Sequence, residues 1–387
     1  MKILHTSDWH IGQILHNIDR ADDHREMLGC IRDLVAEHQP DLLLVCGDIF
    51  HTSQPSASAQ KLLTDALIDI RRAAPQMTIV LTAGNHDSAS RHETHSAVWE
   101  LSDIHTIGTI DPDAPGANII EIPGKGWLAA VPYVNERNMP AGYYGDILDS
   151  ISSRNAEGLP VIMCAHTTVR GSDFSGHADV SDFYVGGIDY RDLDEMGSGY
   201  DYLALGHIHR PQTIRGSHGR ARYCGTPLPV SFDERYPHSV SLVTIEAHGS
   251  VPLIEELPVR EKRLLINIPP EGCAPWDECI AGLQRLDGEI EAYIRMNVEV
   301  ETVLPPGAFR EAESELSCKK ARLAYINSIR KEKETKDRSH LSVSEFRKMR
   351  PIEIAEKYCS DVGIVFSDEL RRLFTEAETA ALSDSQN

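Results

Sequence analysis

The sequence predicts an α/β protein in which two β-sheets lie face to face with helices on the outside. Three observations predict it. Strand-like and helix-like segments alternate between residues 3 and 82; shorter strand candidates bounded by glycine and proline turns follow; and side chains able to hold metal stand directly behind several of the strands.

The alternation opens with a strand at residues 3–6. Residues 23–38 then repeat apolar side chains at helical spacing (Met27, Leu28, Ile31, Leu34, Val35), and residues 42–45 form a second strand. A second helix runs through Leu62, Leu63, Ala66, Leu67 and Ile70, ahead of a strand at residues 78–82, which completes a βαβαβ order. Further strands are expected at 119–122, 128–131, 161–165, 202–205 and 240–245. A first domain over residues 1–260 follows from this run.

Near Arg260 the pattern changes. Residues 261–316 read as a small α+β domain, with a strand at 263–268, a helix at 276–286, an alternating strand at 294–303 and a polar stretch through Glu311. Residues 317–350 are basic (Lys319, Lys320, Arg322, Arg330, Lys331, Lys333, Lys336, Arg338) and read as a helix leading into a linker. Residues 351–382 start at Pro351 and carry Ile352, Ile354, Ala355 and Tyr358, then Leu370, Leu373 and Phe374. They read as one or two amphipathic helices too short to be stable without a partner surface.

The balance of charge narrows the function. Lys and Arg number 38 against 59 Asp and Glu, a formal net charge of −21, which excludes a uniformly basic surface that holds nucleic acid. A site for a polyanion must be local, and bound metal ions supply the missing positive charge. The eight cysteines are scattered without a CxxC pair, which fits reduced thiols. No apolar stretch is long enough to cross a bilayer and no signal-peptide pattern opens the chain, so a cytoplasmic location without membrane contact is expected.

Five segments carry the chemistry: "TSDWHIG" (Asp8, His10), "VCGDIFHTS" (Asp48, His51), "AGNHDS" (Asn85, His86, Asp87), "MCAHTT" (His166) and "LGHIHRP" (His207, His209). Each follows a strand-like run, and in an open α/β sheet ligand sites form at strand ends, where several loops converge. Asp8 and His10 are two apart, as are His207 and His209, so each pair projects to one side of an extended chain. Gly47, Gly84 and Gly206 each precede a ligand candidate, which suits close approach of backbone to a bound group. Seven candidates (Asp8, His10, Asp48, Asn85, His166, His207, His209) are too many for one ion. Two ions sharing Asp48 use them all, and mixed imidazole, carboxylate and amide donors suit manganese, iron or zinc. Taken singly, His166 is also read as a hydrogen-bonded core residue and His51 as a loop cap. His5, His16, His24, His92, His95 and His105 lack the strand-end setting and are expected to be structural or superficial.

The order DxH, GD, GNHD, H, GHxH resembles that of the calcineurin-like metallophosphoesterases. "ILHTSDWHIGQ", "GDIFHTSQPS", "DYLALGHIHRPQ" and "YCGTPLPVSFDE" are similar to one branch, the SbcD nucleases, with the resemblance covering Met1 to about Leu257. It implies a four-layer α-β-β-α metallophosphoesterase sandwich with a small α+β capping domain and a helical C-terminal tail. It also implies one metal, chiefly manganese, on Asp8, His10, Asp48 and His209, and another on Asp48, Asn85, His166 and His207, with His86 as the catalytic histidine. Asp87 is placed with His86 as a residue that orients the loop or the imidazole, or caps the turn. The implied activity is two-metal hydrolysis of DNA phosphodiesters, as exonuclease and endonuclease, in DNA repair, recombination and replication. The implied partner is the SbcC coiled-coil ATPase, bound through residues 351–382, with a homodimer inside a heterotetramer. DNA contact is expected at His51, Arg91, Arg170 and Arg210 and on the small domain.

Three rivals stand beside this reading. A phosphomonoesterase of the superfamily places Asp-Arg-Gly after the GD segment, whereas Ile49-Phe50-His51 follows here. A small-molecule or cyclic-nucleotide phosphodiesterase needs neither the extra domain nor the tail. A non-catalytic scaffold of the same fold is expected to show broken ligand segments, and none is broken.

Overall fold

In this computed structural model, residues 1–176, 190–330, 351–361, 366–367 and 370–374 are described. The central strands are apolar on both faces because each face meets a different layer. Along Lys2–Thr6, Ile3 enters the space between two sheets while Leu4 packs on the other side; Leu42 and Leu44 of Leu42–Cys46 join Ile3, whereas Leu43 and Val45 join Leu4. This period of two is the ordinary alternation of a strand.

The first sheet has the order Leu253–Pro258, Ser239–Thr244, Lys2–Thr6, Leu42–Cys46, Thr78–Thr82, Ile104–Ile107. Its last four strands are parallel and the first two antiparallel. The second sheet has the order Gln212–Thr213, Ala221–Tyr223, Tyr202–Gly206, Val161–His166, Gly126–Ala130, Ile119–Ile122. Between the sheets lie Ile3, Leu42, Leu44 and Val80 from one side and Leu128, Ile162, Cys164 and Ala204 from the other. Outside the first sheet pack Ala21–His38, through Met27, Leu28, Ile31 and Val35, and Ala57–Ala73, through Leu67 and Ile70. Outside the second packs Tyr143–Arg154, through Tyr143, Tyr144, Ile147 and Ile151. The four layers are α-β-β-α.

The small α+β region has its own three-stranded sheet and its own apolar core, centred on Leu283, Ile294, Met296 and Val298. Here two sequence expectations fail. Residues 322–330 are not a basic helix: Arg322–Arg330 is the edge strand of this sheet, beside Ala292–Val300. The β-branched and aromatic residues of RLAYINSIR favour a pleated surface more than the surrounding lysines favour a helix. The polar stretch expected through Glu311 is in part a helix, Ala308–Leu316, which buries Ala308, Ala312 and Leu316 at a spacing of four. Residues 331–350, the linker part of the basic segment, lie outside the described residues, as do 375–382.

Met1–Ile329 pack as one compact unit and Arg330–Asn387 as another. In the second, Pro351–Asp361 is helical as expected, Arg371 pairs with Glu356, and the Arg371 guanidinium stands 5.6 Å from the Phe366 ring centre. No helix among the described residues is long and apolar enough to cross a membrane.

Candidate metal centre

The site residues leave the C-terminal ends of parallel strands. Asp8 and His10 follow Lys2–Thr6, Asp48 follows Leu42–Cys46, Asn85 to Asp87 follow Thr78–Thr82, His166 ends Val161–His166, and His207 and His209 follow Tyr202–Gly206. The loops are stitched by main chain. The Asp8 amide donates to Gly47 O and the His10 amide to Asp48 O, each at 3.0 Å. Close packing leaves no space for a Cβ at any of the three glycines that precede a ligand candidate: on Gly47 it would overlap the His166 ring, on Gly84 the Asp48 carboxylate, and on Gly206 the Cys46 carbonyl. Nine non-glycine residues among those described have positive φ, and four are ligand candidates: Asp8 (53°), His10 (45°), Asp48 (49°) and His207 (99°). Left-handed backbone is unfavourable for a residue with a Cβ and concentrates at functional sites.

Two donor sets result. The ligand atoms of Asp8, His10 and His209 lie within 4.8 Å of one another, and so do those of Asp48, His166 and His207. Asn85 completes the second set, its Oδ1 3.0 Å from both His166 Nε2 and His207 Nδ1. Asp48 stands between the sets. Its Oδ1 accepts the His86 amide at 2.9 Å, while its Oδ2 lies 3.4 Å from His166 Nε2 and 3.9 Å from His10 Nε2.

The donor set fits two divalent ions. His166 Nδ1 is 2.8 Å from the Cys46 carbonyl and His209 Nδ1 2.8 Å from Glu234 Oε1, so each Nδ1 carries the proton and each Nε2 turns to the centre. There His209 Nε2 meets His10 Nε2 at 3.2 Å, and His166 Nε2 meets the Asn85 oxygen. Nitrogen faces nitrogen and nitrogen faces oxygen at these contacts, an arrangement that a proton stabilises and that a metal cation stabilises once the imidazoles are neutral.

The electrostatics follow from burial and from Asp48. Burial would lower His166, but the Asp48 carboxylate outweighs it and lifts the imidazole to about 9. Burial is likewise outweighed at His209, which Glu234 raises to about 8. At Asp48 burial would raise the carboxyl, yet His166, His10 and His86 hold it well below its usual value. Burial pushes His10 well down and, with His166 beside it, brings His207 to about 3. Asp8 is raised, chiefly by burial.

His86 is clamped beside this centre, its amide on Asp48 and its Nδ1 3.0 Å from the His51 carbonyl, with its ring centre 5.0 Å from that of His10. Asp87 turns away. Its carboxylate accepts the amides of Ile49 (3.0 Å), Phe50 (2.9 Å) and Gly84 (2.9 Å), which ties the Asp48 loop to the Asn85 loop and makes it a positioning residue. His51 lies against the centre, Nδ1 to Nδ1 3.4 Å from His10. The three arginines are dispersed. Arg91 lines a hollow with Phe50, Asp87 and Trp99; Arg170 is paired with Asp192 at 2.6 Å; Arg210 is paired with Asp173 at 2.7 Å.

Glu234 escaped the sequence reading. It ends the "SFDE" of a motif named above, but nothing in its spacing from the histidines shows that it reaches His209.

Fold and centre together define a metallophosphoesterase, and residues 1–211 match the family model described as calcineurin-like phosphoesterase. Among curated proteins the chain is 34% identical over 313 residues to SbcD, the D component of nuclease SbcCD, of Rhodobacter capsulatus, covering 74% of this chain and 76% of that one. It is 30% identical to the protein of the same name from Escherichia coli (67% and 68% covered) and 33% identical to that from Bacillus subtilis (63% and 66%). The chain belongs to the SbcD family of nucleases within the calcineurin-like phosphoesterases.

Proposed function

We propose that this chain hydrolyses DNA phosphodiesters with two manganese ions, one on Asp8, His10, Asp48 and His209 and the other on Asp48, Asn85, His166 and His207. The observation that carries the reading is Asp48 Oδ2, which faces His10 and His166 from between the two sets. The ions would neutralise charge that develops on the phosphate and lower the pKa of the attacking water. The protein's own part is positional. Asp48 holds both sets in one frame, and His86, fixed through Nδ1 and its amide, keeps Nε2 for the phosphate or for a proton given to the departing 3′ oxygen. Arg170 and Arg210 would exchange carboxylate partners for DNA phosphates, and His51 and Arg91 would add to the contact with DNA.

The relatives are named as components of SbcCD, and the partner proposed here is an SbcC-type ATPase. The support is the tail helix Pro351–Asp361, with Tyr358 65% exposed, and Leu373 beyond it 51% exposed. A chain ending at Met349 is expected to keep its ions and its nuclease activity on simple substrates and to lose co-purification with the ATPase. A homodimer through Ala57–Ala73 and the segment near Leu101 is supported by the exposure of Ile68 (38%), Val98 (65%) and Leu101 (87%). A DNA substrate and eight free cysteines favour the cytoplasm.

The test is metal analysis of freshly purified protein, then hydrolysis of bis-p-nitrophenyl phosphate against p-nitrophenyl phosphate, then of a linear duplex. Two ions, a preference for the diester and manganese-stimulated cleavage of the duplex are expected. Protein without bound ions and without manganese-stimulated hydrolysis returns the scaffold reading.

A further inference from the structure

The loop that carries Glu234 is gripped from its far side by the α+β cap. Asn267, on Leu264–Ile268, donates its amide to the Phe232 carbonyl at 2.9 Å. Arg295, on Ala292–Val300, donates to Asn267 Oδ1 at 2.6 Å, to the Phe232 carbonyl at 3.4 Å and to Asp233 Oδ1 at 2.5 Å, and stands 5.4 Å from the Phe232 ring centre. Both side chains are buried. One residue further, Glu234 Oε1 accepts from His209 Nδ1 and its Oε2 accepts the Val230 amide at 3.2 Å. Phe232, Asp233 and Glu234 therefore connect a cap cation to a metal ligand with no free residue between. His166, the matching ligand of the second set, takes its orientation from the Cys46 carbonyl inside the sandwich.

We propose that Glu234 and Arg295 are positioning residues for the ion on Asp8, His10, Asp48 and His209, and that the cap thereby sets the affinity of this half of the centre. The inference rests on the two-ion reading above. The physical ground is the dependence of a histidine ligand on the acceptor behind it: an anionic partner fixes the tautomer and ring and raises ligand basicity, and its loss costs ~10–100-fold in metal affinity. Arg295 acts one step back. Its ion pair with Asp233, which is 41% exposed, contributes little by itself; its bonds to Phe232 and Asn267 fix the main chain from which Glu234 reaches His209.

The experiment titrates manganese into the full chain and follows the two binding steps by calorimetry, with the manganese EPR signal as a second readout. Glu234→Gln should weaken one step ~10–100-fold and leave the other unchanged. Arg295→Met should weaken the same step by less, and Asp233→Asn, which alters a half-exposed carboxylate, least of all. Should Arg295→Met fail to fold, Asn267→Ala, which removes the amide held on the Phe232 carbonyl, takes its place and should weaken the same step. Equal losses in both steps mean general loosening and overturn the inference, as does an isotherm that none of the variants alters. Wild-type protein that binds fewer than two ions defeats the two-ion reading itself, and this inference with it, before any variant is compared.

Discussion

His209 and His166 belong to different donor sets, and their rings are held by different kinds of partner. His209 leans on a carboxylate, Glu234, brought by a loop that the cap grips; His166 leans on a neutral carbonyl of the strand Leu42–Cys46. The second arrangement is as rigid as the sheet that supplies it. The first can be adjusted from outside, because a loop stands between sheet and ligand. One centre thus combines a half fixed by the fold with a half open to tuning.

The largest expected effect removes the difference between the halves. Asp48→Asn should strip affinity from both donor sets and lower diester hydrolysis by ~10³-fold or more; metal analysis showing one ion retained at full affinity would mean that Asp48 serves one set alone. His86→Ala should spare both halves, with turnover falling ~10²–10⁴-fold while two ions and duplex binding persist. Unchanged turnover in that variant would take His86 out of the chemistry.

Asp87→Asn loosens the stitching common to both halves. An amide has one acceptor oxygen for three main-chain donors, so a loss of ~1–3 kcal/mol in denaturant unfolding is expected.

The smallest effect separates the halves by pH. An imidazole must be neutral to ligate, and both folded values lie above the ordinary one, so protons compete with metal until the pH passes about 8 at His209 and about 9 at His166. Affinity of the metal-free protein should rise with pH through this window, the Asp8–His10–His209 half first. Stability of the metal-free protein runs the opposite way: interactions of the charged imidazoles are fully present below the unfolded value of about 6.5 and are lost as pH rises through 8 and 9. Two binding steps that strengthen in parallel at acidic pH would contradict the order.

What the sequence disclosed reflects how local each signal is. Apolar runs that end in DxH, GD or GNHD mark a strand and a candidate ligand in the same few residues, so the gathering of Asp8, His10, Asp48 and Asn85 at one end of the sheets is legible in the sequence. Asp87 was only half legible, because its three donors belong to two loops distant in the chain. Glu234 and Arg295 were hidden for the same reason: the contact between Asp233 and Arg295 spans 62 residues and depends on how the cap docks. The strand Arg322–Arg330 is obscured in the sequence by the charges around it, which mask its β-branched and aromatic residues.

The left-handed backbone at Asp8, His10, Asp48 and His207 bears on how the centre can be studied. After glycine, asparagine and aspartate tolerate that conformation best, since their short polar side chains bond locally, whereas alanine has no such relief. An alanine scan would therefore remove a ligand and distort a loop in one stroke, and the lost activity would report backbone energy under the name of chemistry. Asparagine at positions 8 and 48 changes the ligand while sparing the loop. For this centre the informative replacement is chosen by the main chain.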